Sequence, residues 1–173
     1  METRFNIFEI LQIAEKVEND GGRLYVQNAD RFESADLRNT CYRLADWKGR
    51  HARALALKRK LHSKKTGEFG RFDPDDYVLS NPRVMAALAM TAARKARCGR
   101  RALTGRESKG DILHSAIQRE KDAVAFYNGL KAFAQDPASQ LAIETIVAEQ
   151  LRLIGMLNDA YAEESAYPHK VTA

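Results

Sequence analysis

Ala14-Glu15-Lys16-Val17-Glu18-Asn19-Asp20-Gly21-Gly22-Arg23-Leu24-Tyr25 returns later in the chain as Ala116-Ile117-Gln118-Arg119-Glu120-Lys121-Asp122-Ala123-Val124-Ala125-Phe126-Tyr127. The shared pattern is Ala-x-x-x-Glu-x-x-Gly/Ala-x-x-Leu/Phe-Tyr, at an offset of 102 residues from Ala14 to Ala116. The register holds without a gap into the next segment. Ser34 falls on Asp136, Leu37 on Ser139, Cys41 on Ile143, Leu44 on Ile146, Lys48 on Gln150, His51 on Leu153 and Leu55 on Leu157. Apolar positions in both copies recur with the 3.6-residue period of an amphipathic helix. One helical hairpin has been used twice, and each copy carries a glutamate on its apolar stripe. Two such hairpins can bury those stripes only against each other, so the expected fold is an all-α four-helix bundle with a polar centre.

Local signals place the four helices. Asn6 and Glu9 form a capping box, with Phe5 and Ile10 as the hydrophobic staple around it. The first helix then presents Ile7, Ile10, Leu11, Ala14, Val17, Glu18, Gly21, Leu24, Tyr25 and Asn28 on one face. Ser34 is the expected N-cap of the second, which runs to a stop at Gly67. Ser108 or Asp111 opens the third, and Asp136-Pro137 opens the fourth, with proline at its first position. The fourth presents Ile143, Ile146, Val147, Gln150, Leu153, Leu157 and Tyr161. The chain of 173 residues thus reads as a single domain: hairpin 1 over about 6–66, a crossover over 67–107, and hairpin 2 over about 108–165. Within the crossover, Asn81-Pro82 begins a short extra helix that ends at Gly99. Two short hairpin connections and one long crossover make the connectivity of ferritin-like folds.

Composition limits the functional classes. Charged residues at 29% and hydrophobic ones at 45% are ordinary for a globular protein. The N-terminus lacks the charged and apolar regions of a secretory signal, and Val84–Ala93, the most apolar run, is too short to span a bilayer. A cytoplasmic location without membrane association is the expectation. Cys41 and Cys98 are isolated, which excludes a zinc ribbon or a rubredoxin-type iron centre. The net charge of +5 is concentrated in Lys58–Lys60 with Lys64–Lys65, and in Arg94–Arg101. Both clusters fall near helix ends, where cations complement the helix dipole. Neither interleaves aromatics, so nucleic-acid or acidic-partner binding is a minor alternative.

The repeated pattern resembles the rubrerythrin-related branch of the ferritin-like superfamily, over roughly residues 6–60 and 108–161. That resemblance implies a di-iron centre held by one Glu from each of two helices and a Glu-x-x-His pair from each of the other two. Glu18 and Glu120 match the single glutamates, and His51 matches one histidine, 33 residues after Glu18. Those three are the candidate metal ligands. The remaining positions depart from the pattern: Lys48 and Gln150 stand where the resemblance implies Glu, and Leu153 stands where it implies His. Lys48 brings a permanent positive charge into a site built to hold cations. The expectation is a Glu18–Lys48–Glu120–His51 network in place of metal, and a non-catalytic protein without a cofactor.

The alternative is an iron-binding oxidoreductase or peroxide-scavenging protein that keeps a reduced ligand set, with iron or another divalent metal bound. In that reading Glu149 could contribute only if the fourth helix turned by about 100°, one residue step, and His114 is an outlying candidate. Tyr25 and Tyr127 are matched aromatics, read as core with hydroxyls reaching the carboxylates. Trp47 is expected to face a neighbouring helix or a second copy, and the resemblance implies a homodimer.

Overall fold

The computed structural model describes residues 4–66 and 103–166. Four helices account for most of this: α1 (Ile7–Ala29), α2 (Ala35–Thr66), α3 (Lys109–Leu130) and α4 (Pro137–Ala166), with a 3-10 turn (Lys131–Phe133) between the last two. The expected short helix between Asn81 and Gly99 lies outside the described residues.

Three of the four helices start where a side chain satisfies free N–H groups of the first turn. In α1 the Glu9 N–H donates to Asn6 Oδ1 at 2.9 Å, and the Asn6 N–H donates to Glu9 Oε2 at 3.0 Å. Ser108 and Asp111 form the same reciprocal box on α3. On α4 the Ser139 N–H donates to Asp136 Oδ1 at 2.8 Å.

The hairpins α1–α2 and α3–α4 are each closely packed, and they meet along α1–α4 and α2–α3. The start of α1 is tied to the α3–α4 turn: Phe5 N–H donates to Phe133 O at 2.6 Å, and Gln135 N–H donates to Phe5 O at 2.8 Å. At the other end, Arg31 Nη1 donates to Leu103 O at 2.9 Å, which sets the entry to α3 beside the exit from α1. α1 and α3 therefore run antiparallel, as do α2 and α4. The repeat relates the two hairpins by an approximate twofold.

Burial follows the repeat position by position. Ala14 and Ala116, Tyr25 and Tyr127, Cys41 and Ile143, Leu44 and Ile146, and Leu55 and Leu157 are all buried. Phe8 and Ile13 are also buried, beyond the expected stripe, and the Arg59 guanidinium covers the Phe8 ring at 5.4 Å. Tyr161, expected to point inward, is partly exposed near the end of α4 and stacks against His114. The apolar core is two clusters. One centres on Phe5, Ile10, Leu55, Tyr127 and Ile143, the other on Tyr25, Phe32, Leu44, Ile112 and Leu157. Neither includes the buried polar residues Glu18, Lys48, His51, Glu120 and Gln150, which form the layer dividing them.

Candidate functional site: a buried charge cluster

Equivalent turns of α1 and α3 place Glu18 and Glu120 on the bundle axis, and both are almost completely buried. Carboxylates so far from water need partners. The principal one comes from α2. Lys48 Nζ lies 3.0 Å from Glu18 Oε2 and 2.6 Å from Glu120 Oε2, bridging the two. Its aliphatic stem crosses α1 at Gly21, where a Cβ would meet Lys48 Cε at 3.4 Å. The Lys48 stem thus packs directly over Gly21, at a distance that a methyl group would also meet as ordinary contact. Its counterpart in the second copy, Ala123, has no lysine to accommodate.

Glu18 collects more partners. Gln150 Nε2 donates to Glu18 Oε1 at 2.5 Å, and His51 Nδ1 lies 3.3 Å from Glu18 Oε2. The other ring nitrogen of His51 is 2.7 Å from Glu149 Oε2, and Glu149 Oε1 accepts from Lys58 Nζ at 3.1 Å. A continuous polar chain thus runs from the surface at Lys58 through Glu149 and His51 to Glu18, Lys48 and Glu120.

The electrostatics separate the matched glutamates. Burial works to raise both carboxyl groups. For Glu18, the His51 ring 3.3 Å away and the charge of Lys48 overcome burial and hold the group below its ordinary value. For Glu120, burial prevails over Lys48, with Glu18 adding repulsion, and the group lies above its ordinary value. Burial would lower His51, but its bonds to Glu18 and Glu149 and their charges raise it instead. Glu149 is held low: burial opposes, while His51 and Lys58 outweigh it. The phenols of Tyr25 and Tyr127 are pushed up, first by burial and then by the adjacent glutamates.

The structure brings together Glu18, Lys48, His51, Glu120 and Gln150. Within this group His51 reaches Glu18 on one side and Glu149 on the other. Glu149 joins from the edge of α4, while Gln150 holds the inward position. Leu153 is buried and contributes only apolar surface. Trp47 packs at 5.3 Å from the His51 ring, with Lys48 Nζ 5.4 Å from its own ring. Two of the five residues of the first basic cluster are already engaged, Lys58 with Glu149 and Arg59 with Glu15. The Arg94–Arg101 cluster lies outside the described residues.

The residues present do not fit a di-iron centre. Three of the six implied ligands remain, and an ammonium group holds the position between the two glutamates. Among the described residues, no group of three or more His, Cys, Asp or Glu is arranged to hold a metal ion. Nor is any helix among them long and apolar enough to cross a membrane.

A solved structure from Thermotoga maritima, described as that of a proposed ferritin-like diiron-carboxylate protein, resembles this chain with a TM-score of 0.50. The two are 18% identical, and the match covers 95% of this chain and 99% of that one. At that identity the likeness speaks for the fold, and the fold is ferritin-like. No protein-family model and no curated protein matches the chain.

Proposed function

We propose that this protein is a ferritin-like bundle in which an internal cation has taken over the role of metal, and that it acts as a non-catalytic module. One observation carries the reading: Lys48 Nζ lies within ion-pair distance of both Glu18 and Glu120. A di-iron centre balances about four carboxylates against two divalent cations. Here two central carboxylates are balanced by Lys48, with His51 shared between Glu18 and Glu149 as a further positive partner. A metal ion entering between Glu18 and Glu120 would have to displace a buried ammonium that makes contact with both. Both retained glutamates already contact a cation, so a metal would have to compete with it.

Two features support a structural role for the cluster. Gln150 donates to the carboxylate that Lys48 shares, and Leu153 fills the last ligand position with an apolar side chain. The alternative, a metal-dependent oxidoreductase of rubrerythrin type, requires Lys48 to withdraw.

Anaerobic titration with ferrous iron tests the proposal. The wild-type chain is expected to bind no iron tightly and to develop no di-iron absorption on exposure to oxygen. The triple variant Lys48→Glu, Gln150→Glu, Leu153→His is expected to gain iron binding. Tight binding of two irons per wild-type chain would overturn the reading.

A further inference from the structure

The duplication produces two grooves as well as two glutamates. One lies between the end of α2 and the start of α4, over the first turns of α1, with a volume of about 490 Å³. The other lies between the start of α2 and the end of α4, over the first turns of α3, with a volume of about 850 Å³. The 102-residue offset maps one onto the other: Ile7 on Lys109, Lys58 on Ala160, Leu61 on Glu163, His62 on Glu164, and Thr145 on Arg43. The two grooves have the same shape origin and opposite surface chemistry.

The larger groove carries charges of both signs that largely satisfy one another. Lys109 lies 3.5 Å from both Glu164 and Asp36, and Arg50 pairs with Asp46. The smaller groove is lined chiefly by Leu11, Leu61, Leu141, Ala142 and Ile146. Leu61 and Leu141, from α2 and α4, are 58% and 63% exposed. The Thr145 hydroxyl on its wall donates to Leu141 O. Polar character is confined to one side, where Lys58 and His62 sit on successive turns of α2. Lys58 donates to Glu149, yet an ammonium has three donors and its side chain is 44% exposed, so it can take a second anion.

We propose that the smaller groove binds a long-chain carboxylate such as a fatty acid, its tail along Leu61, Leu141 and Ala142 and its carboxylate on Lys58. An apolar bed of this volume suits a small molecule, within the usual range of about 300–1,000 Å³. A cation at one side only selects an anionic head on an apolar tail. Because Lys58 also holds Glu149, which holds His51, such a ligand would touch the outer end of the chain that leads to the central cluster. The proposal is independent of whether that cluster can bind iron.

Calorimetric titration of the full chain with sodium laurate, below its micelle concentration, tests this. The expected result is one saturable site. Leu141→Asp places a carboxylate in the bed and is expected to weaken binding about tenfold or more, since both desolvation and charge oppose the tail. Lys58→Gln is expected to weaken it about two- to fivefold, the range of a solvent-exposed ion pair. Met156→Asp, an exposed change in the other groove, should leave binding unchanged. Dodecyltrimethylammonium, with the same tail and the opposite head charge, should bind more weakly than laurate. All three positions are exposed, and circular dichroism checks that each variant keeps its helices. Absence of saturable laurate binding overturns the proposal. So does equal loss from Met156→Asp, equal affinity for the cationic amphiphile, or retention on anionic phospholipid vesicles without binding of monomeric laurate.

Discussion

Glu18 and Glu120 occupy the same position in two copies of one hairpin, yet their surroundings drive them in opposite directions. Glu18 meets Lys48, Gln150 and His51 and is held low. Glu120 meets Lys48 alone among these, and burial raises it. The backbone and the apolar stripes are common to both copies, so the cause lies in the facing helices α2 and α4. There the repeat pairs Lys48 with Gln150 and His51 with Leu153. Duplication set the two carboxylates face to face, and divergence of their partners decided how each is neutralised. A buried cluster can keep its geometry while its chemistry changes, provided that charge stays balanced at every step.

The strongest way to break this comparison is to remove the group both glutamates share. Lys48→Met leaves two buried carboxylates without the cation they share, and loss of one partner from a buried ionic group costs about 3–5 kcal/mol. Urea unfolding should register that loss. Adding Glu120→Gln to Lys48→Met should recover part of it, by removing the repulsion that the single variant creates. A Lys48→Met protein as stable as wild type would mean that the ammonium contributes nothing net.

A smaller effect, in pH dependence, sharpens the contrast between His51 and Leu153. His51 is raised above its ordinary value of 6.5. Folding therefore favours its protonated form, and that contribution is fully present below about pH 6.5 and fades as pH rises through the folded value. Glu120, also raised, acts in the same direction from pH 4.5 upward. Glu18, being lowered, acts oppositely: its contribution is present above about pH 4.5 and is lost as pH falls through its lower folded value. Unfolding free energy should thus decline on the alkaline side of pH 6.5, by about 1.4 kcal/mol for each unit by which His51 is raised. His51→Gln should flatten that decline. A persistent slope in the variant would assign it to another group.

The smallest change makes the first copy resemble the second at one atom. Gly21→Ala reproduces Ala123 and gains helix propensity of up to about 1 kcal/mol. Its new methyl would rest against the Lys48 stem at 3.4 Å from Cε, in ordinary contact. Thermal unfolding should therefore show a stabilised protein, and a destabilised one would mean that the stem pinned by two carboxylates cannot give way.

These residues also show what a sequence can and cannot reveal. The starts of α1, α3 and α4 were legible because Asn6, Ser108 and Asp136 act within three residues of themselves. The central glutamates and Lys48 were legible because the repeat supplied a register across 102 residues. Glu149 was not. Its helical phase places it off the axis, and only its reach from the edge of α4 to the outer nitrogen of His51 brings it into the cluster. The hydrogen bond from Gln150 to Glu18 was hidden for a related reason: the repeat places Gln150 opposite Lys48 but does not say which acceptor its amide finds. Tyr161 erred in the other direction, since periodicity continues to the end of a helix after the core beneath it has stopped.

The Phe5 clasp gives the bundle a built-in reporter. Two main-chain hydrogen bonds join residue 5 to the turn at residues 133–135, and neither can form unless the two hairpins have docked. Hydrogen–deuterium exchange at the Phe5 and Gln135 amides therefore times the meeting of the halves, separately from the folding of either hairpin. If the buried charges assemble only on docking, substitutions at Lys48 will speed exchange at that distant clasp.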